Sequence, residues 1–204
     1  MFVVFEGGDG AGKTTQSRLL AEWLEEQGRT VVRTRQPGGT ALGTKVRELV
    51  LDPSTGDVDP RAEALLYSAD KAQHVAEVIR PALAAGADVV CDRYVDSMIA
   101  YQGAGRVLDP AEITKLARWA TGGLCPDLTV LLDVDPDDAL AAKDLGDRLE
   151  SAGESFHHRV REGFLALAEE DPGRHLVVPA RGARDEIAAR VRDAVTRLRE
   201  KPGG

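Results

Sequence analysis

The octapeptide Gly7-Gly8-Asp9-Gly10-Ala11-Gly12-Lys13-Thr14 fits GxxxxGK[ST] and lies between a β-rich run, Phe2 to Phe5, and a helical stretch, Thr14 to Gln27. Such a loop commits the chain to a strand, a glycine-rich turn and a helix whose first N–H groups converge on one point. Glycine tolerates positive φ and admits close approach of an anion, and a helix start at residue 13 adds its positive dipole end. The segment therefore reads as a cradle for phosphates. Gly7, Gly8, Asp9, Gly10, Ala11, Gly12, Lys13, Thr14 and Thr15 are the candidate residues for binding the phosphates of a nucleotide. Lys13 is expected to reach the β and γ phosphates, and the Thr14 hydroxyl to ligate Mg²⁺.

Downstream, the pattern alternates. Helix Thr14 to Gln27 stops at Gly28, a strand is expected over Thr30 to Thr34, and a helix over Ala41 to Leu51. A long helical pattern, Arg61 to Arg80, is expected to end at Pro81. Val89-Val90-Cys91 then forms a buried strand over Asp88 to Asp92, with helix around Asp96 to Gln102 and from Pro110 to Ala120. Leu128 to Val134 is a further apolar run, typical of a strand covered on both faces. Helices at Pro136 to Ala142 and Glu154 to Glu169 flank a charged, glycine-containing stretch, about 143–153, that reads as a lid. A last strand, His175 to Val178, and a last helix, Arg184 to Glu200, precede a frayed tail, 201–204. The expected fold is α/β: a doubly wound, parallel five-stranded sheet flanked by helices, of P-loop NTPase type, as a single domain over 1–200.

Composition excludes several classes. With 26 basic and 34 acidic residues the net charge is −8, which argues against nucleic acid as a partner. No apolar run is long enough to span a bilayer, and the start, Met1 to Phe5, lacks a basic leader. Two cysteines, Cys91 and Cys125, do not make a disulfide framework, so a cytoplasmic location is expected. His157 and His158 are read as surface or packing residues without carboxylates at metal-ligand spacing.

A nucleotide cradle does not by itself name a reaction, because switches, ATPases and small-molecule kinases share it. The chain contains no asparagine, hence no NKxD element for reading guanine. Four ordered segments narrow the choice: Phe5 to Thr15; Arg35-Gln36-Pro37-Gly38-Gly39-Thr40; Asp92-Arg93-Tyr94 with Ala100-Tyr101-Gln102-Gly103; and Asp147-Arg148-Leu149-Glu150. With these the chain resembles the bacterial thymidylate kinases over almost its whole length. The resemblance implies a nucleoside monophosphate kinase fold, ATP with Mg²⁺ as donor, dTMP as acceptor and a homodimer. Phosphorylation of another pyrimidine deoxynucleotide such as dUMP, or a P-loop ATPase or GTPase switch, are the alternatives.

The resemblance also implies roles. Arg93 and Arg47 hold the acceptor phosphate, and a strand end is where an open parallel sheet places ligand chemistry. Asp92 lies near Mg²⁺ and Lys13, with pairing to Arg93 as its structural alternative; Thr14 and Asp92 are the metal candidates. Asp9 accepts a hydrogen bond from the acceptor sugar, and Pro37 lies beside the substrate. Tyr67 and Lys71, four apart on one helix face, stand where the family has Phe and Arg against the thymine ring, and Gln102 reads the base edge. Met98 stands where the family often has a hydrogen-bonding side chain. No P-loop residue at 9, 10 or 11 is basic, so charge on the transferring phosphoryl is expected to be offset from the lid, by Arg148 and Lys143.

Overall fold

The computed structural model describes residues 1–137, 149 and 153–200. The lid candidates Lys143 and Arg148, most of the 143–153 segment and the 201–204 tail lie outside the described residues.

Five strands form one sheet: β1 (Phe2–Glu6), β2 (Val31–Arg35), β3 (Asp88–Asp92), β4 (Leu128–Asp133) and β5 (His175–Pro179), in the order β2-β3-β1-β4-β5. Every pairing is parallel. The central strand β1 is buried along its length, and its side chains alternate between two cores. Val3 and Phe5 join Val90, Val130 and Leu132 under α1 (Lys13–Glu26) and the last helix, whose Leu20, Leu24, Ile187, Val191 and Val195 close that face. Phe2 and Val4 face the other way, against Val75, Ile79, Val89, Cys91 and Tyr94. Each fully buried side chain of this kind contributes about 1.5–3 kcal/mol, so the central strands are the best-anchored part of the molecule. The site depends on that anchorage.

From β1 the chain crosses toward β2, whereas from β3 it crosses toward β4, so the carboxyl ends of β1 and β3 form a topological switch point. Phe5 pairs with Asp92 there, which sets the glycine loop after β1 beside the Asp92-Arg93-Tyr94 turn after β3. Gly7 allows the tight exit: its φ is +130°, and a Cβ would stand 2.3 Å from the Leu132 carbonyl oxygen.

Around the sheet lie α2 (Ala41–Leu51), α3 (Pro60–His74), α4 (Arg80–Ala84), α5 (Val95–Met98), α6 (Pro110–Thr121), α7 (Glu154–Glu170) and α8 (Arg184–Glu200). The expected stop at Pro81 does not occur. A π turn over Val75–Ile79 lets α4 start afresh, and Pro81 falls in its first turn, where a missing N–H costs little. The chain turns instead at Gly86, with φ +79°. Likewise the short helix expected near Asp96 begins at Val95 and runs on as a π turn, Ile99–Gly105, delivering Tyr101 and Gln102 inward.

Candidate active site

The glycine loop wraps the Lys13 ammonium. Gly12, at φ +89°, opens α1, and Lys13 Nζ donates to the carbonyls of Gly7 at 3.1 Å and Gly8 at 2.6 Å. Burial, helped by the neighbouring Arg93, lowers the Lys13 pKa to about 8, although Asp9, Asp92 and Glu6 pull the other way. The ammonium is thus held by weak carbonyl partners, ready to exchange them for a stronger anion. Thr14 Oγ1 donates to Asp92 Oδ2 at 2.7 Å, so a hydroxyl and a carboxylate, both hard oxygen donors, stand together at the loop. That donor set suits Mg²⁺.

Arg93 sits in the left-handed region at φ +71°, an uncommon conformation for a residue with a Cβ. The buried Glu6 carboxylate at the end of β1 secures the turn, accepting from Tyr94 N at 2.8 Å, Ser97 N at 3.1 Å and Ser97 Oγ at 2.5 Å. Burial, with Asp96 nearby, raises the Glu6 pKa against these bonds. From that platform the Arg93 guanidinium donates to Gly7 O at 3.0 Å, Ser97 Oγ at 2.9 Å, Asp9 Oδ1 at 2.6 Å and Tyr101 Oη at 3.1 Å. Tyr101 in turn donates to Asp9 Oδ2 at 2.9 Å. Burial alone would raise the Asp9 carboxyl; Arg93, Lys13 and the two hydrogen bonds outweigh it and hold Asp9 well below the usual carboxylate range. The carboxylate partner of Arg93 is therefore Asp9, not Asp92.

A second cleft opens beyond this cluster. Its wall carries Pro37, which follows a cis peptide bond, with Arg47, Tyr67, Lys71, Met98 and Gln102. Lys71, buried, donates to Gln36 Oε1 at 3.1 Å, and burial lowers its pKa despite the adjacent Asp70. Gln36 Nε2 meets His74 Nδ1 at 2.8 Å, and His74 Nε2 meets Thr34 Oγ1 at 2.6 Å. Burial, with Lys71 close by, lowers the His74 pKa to about 4, so the ring is neutral at pH 7; its Nδ1 accepts from the Gln36 amide, whose oxygen Lys71 occupies, and its Nε2–H donates to Thr34. Lys71 lies 6.0 Å from the Tyr67 ring centroid. Met98 is buried, and Ser68 Oγ donates to its sulfur at 3.7 Å.

The cradle cleft is lined by Asp9, Gly10, Gly12, Lys13, Thr14, Thr15, Asp92 and Arg93. Four residues line both clefts: Asp9, Gln36, Arg47 and Arg93. The structure thus gathers every candidate for the second cleft named from sequence, while Gly7, Gly8 and Ala11 shape the loop from behind and Ala11 packs into the core. Sequence reading gave no role to Glu6, Gln36, Ser97, Tyr101 or Glu63. Glu6, Gln36 and Tyr101 lie inside quoted motifs, but only the fold shows what each bonds. One correction concerns His158: Glu154 precedes it by one helical turn, and His158 Nε2 meets Asp137 Oδ1 at 3.1 Å on an exposed surface.

A parallel P-loop sheet with a second cleft meeting the cradle at two arginines and a carboxylate defines a phosphotransferase of the nucleoside monophosphate kinase class. The thymidylate kinase family model matches residues 5–191, and the chain belongs to that family. It is 61% identical over 198 residues to a thymidylate kinase of Cutibacterium acnes, covering 97% of each chain. It is 52% identical over 204 residues to one of Bifidobacterium longum, covering 97% of this chain and 98% of that one. Among solved structures, the thymidylate kinase of Ehrlichia chaffeensis superposes with a TM-score of 0.81 at 36% identity, covering 96% of this chain and 98% of that one.

Proposed function

We infer that the chain transfers the terminal phosphoryl group of ATP to dTMP, giving dTDP and ADP. The observation that carries this reading is the junction of the two clefts at Asp9, Gln36, Arg47 and Arg93 in a member of this family. A phosphate in the cradle and a phosphate in the second cleft meet there, and transfer between them needs alignment and offset charge rather than a covalent intermediate.

The roles follow from the contacts. Lys13 leaves the Gly7 and Gly8 carbonyls to donate to the donor phosphates. Arg93 and Arg47 hold the acceptor phosphate from the opposite side, and Arg93 stays oriented because Ser97, Tyr101 and Asp9 fix its fork. Asp9, kept ionised, accepts from the acceptor sugar. Tyr67, Lys71, Met98 and Gln102 enclose the base. Thr14 and Asp92 would hold Mg²⁺, which would supply positive charge to offset that of the donor phosphates. By family analogy Arg148 and Lys143 complete the charge from the lid. No helix among the described residues is long and apolar enough to cross a membrane, and we place the enzyme in the cytoplasm. We also propose a homodimer, for which Leu65 on α3 and Trp119 on α6, 58% and 80% exposed, offer an apolar face. Light scattering at micromolar concentration reads that state.

The test is ADP formation from Mg-ATP with no acceptor, then with dTMP, dUMP, dCMP, dGMP and AMP in parallel. Strong dependence on dTMP is expected; hydrolysis indifferent to every acceptor would sink the reading. A pH profile adds a signature of Lys13. A lysine whose pKa lies near 8 carries its charge below that pH and loses it above, so kcat/KM for Mg-ATP should be flat on the acid side of about 8 and decline on the alkaline side. A profile level up to pH 9.5 would contradict this assignment.

A further inference from the structure

Glu63 lies in the first turn of α3 and is fully buried. Arg106 forks onto it, Nε donating to Oε1 and Nη2 to Oε2, each at 3.2 Å. The Arg106 guanidinium also stacks 5.0 Å from the Phe156 ring centroid, so the pair is held by packing as well as charge. Gln102 Nε2 donates to the same Glu63 Oε1 at 2.9 Å.

This arrangement fixes the polarity of an amide. A carboxylate gripped by a guanidinium offers only acceptor oxygens, so Gln102 must turn its NH₂ toward Glu63. The other polar end of the amide, Oε1, meets no donor among the described residues, and Gln102 lines the second cleft beside Lys71. We propose that Glu63 and Arg106 are positioning residues for base choice: they hold Gln102 with its acceptor toward the base, so the cleft selects pyrimidines that carry a proton on N3. Thymine and uracil donate from N3 to such an acceptor, and their O4 faces a donor in Lys71. Cytosine presents an acceptor at N3 and a donor at N4, the reverse of both, and leaves two buried polar groups mismatched.

The inference rests on the acceptor reading above, and its test separates the two. The kcat/KM values for dTMP, dUMP and dCMP are measured in the parent and in Glu63→Gln. The substituted side chain can donate or accept, so the Gln102 amide becomes free to turn. The dTMP to dCMP ratio should fall at least about tenfold, the worth of one misplaced hydrogen bond, while the dTMP to dUMP ratio stays within about twofold. Arg106→Lys, which preserves the charge beside Glu63, should keep the parent ratio. Should Glu63→Gln fail to fold, as circular dichroism reads directly, the double variant Glu63→Gln with Arg106→Gln leaves no lone buried cation and carries the same test. An equal loss with all three acceptors would reduce the pair to a structural prop and overturn the proposal. A parent that ignores dTMP would instead overturn the acceptor reading.

Discussion

Replacing Arg93 by methionine should lower kcat/KM for dTMP by about 100- to 1000-fold, the usual cost of removing one preorganised donor from a developing phosphoryl charge. The structure adds a second effect. Arg93 donates to Gly7 O, Ser97 Oγ, Asp9 and Tyr101 at once, so its loss strips Asp9 of its main counter-charge inside the protein. Breaking one side of this part-buried pair costs less than the about 3–5 kcal/mol of a fully buried one, but the melting temperature should still fall with the activity. Arg93→Lys should rescue little, because a single ammonium cannot reproduce a planar fork that spans four acceptors. Steady-state kinetics beside a thermal melt check both effects; a variant with parent-like KM for dTMP would remove Arg93 from the acceptor site.

Lys13→Met should behave differently. Its activity should fall about 1000-fold, since Lys13 is the cation the glycine loop itself encloses through the Gly7 and Gly8 carbonyls. Its stability without nucleotide should scarcely change. Burial already works against the Lys13 charge in the folded state, which is why its pKa falls to about 8, and methionine fills similar volume without that penalty. Losing its hydrogen bonds to the Gly7 and Gly8 carbonyls offsets part of the gain. A large activity loss at unchanged melting temperature is the expected pattern. A melting temperature that drops as far as in Arg93→Met would make Lys13 a structural residue of the loop.

The contrast shows what sequence can carry. GxxxxGK[ST] between a strand and a helix fixes the cradle because backbone geometry there depends on glycine spacing alone. The order of apolar runs likewise gives the parallel sheet, since strands covered on both faces leave no polar alternation. Helix boundaries were less legible at Pro81 and near Asp96, where π turns shift the hydrogen-bond register and no residue type announces them. The site divides in the same manner. Arg93 could be placed at a strand end, but its left-handed backbone and its grip on Asp9 are supported by Glu6, far earlier in the chain, and by Ser97. In the sequence nothing distinguishes Glu63 from any other carboxylate on a helix. The fold buries it and sets it against Gln102 on the π turn after α5.

The central claim is that two clefts meet so that one phosphoryl group passes directly between nucleotides. It is tested by incubating the protein with ATP labelled in the γ-phosphate and unlabelled dTMP, then separating nucleotides, protein and inorganic phosphate. The account predicts one labelled dTDP for each ADP formed, with no label retained on the protein. Label released as inorganic phosphate at the same rate with or without dTMP would contradict it.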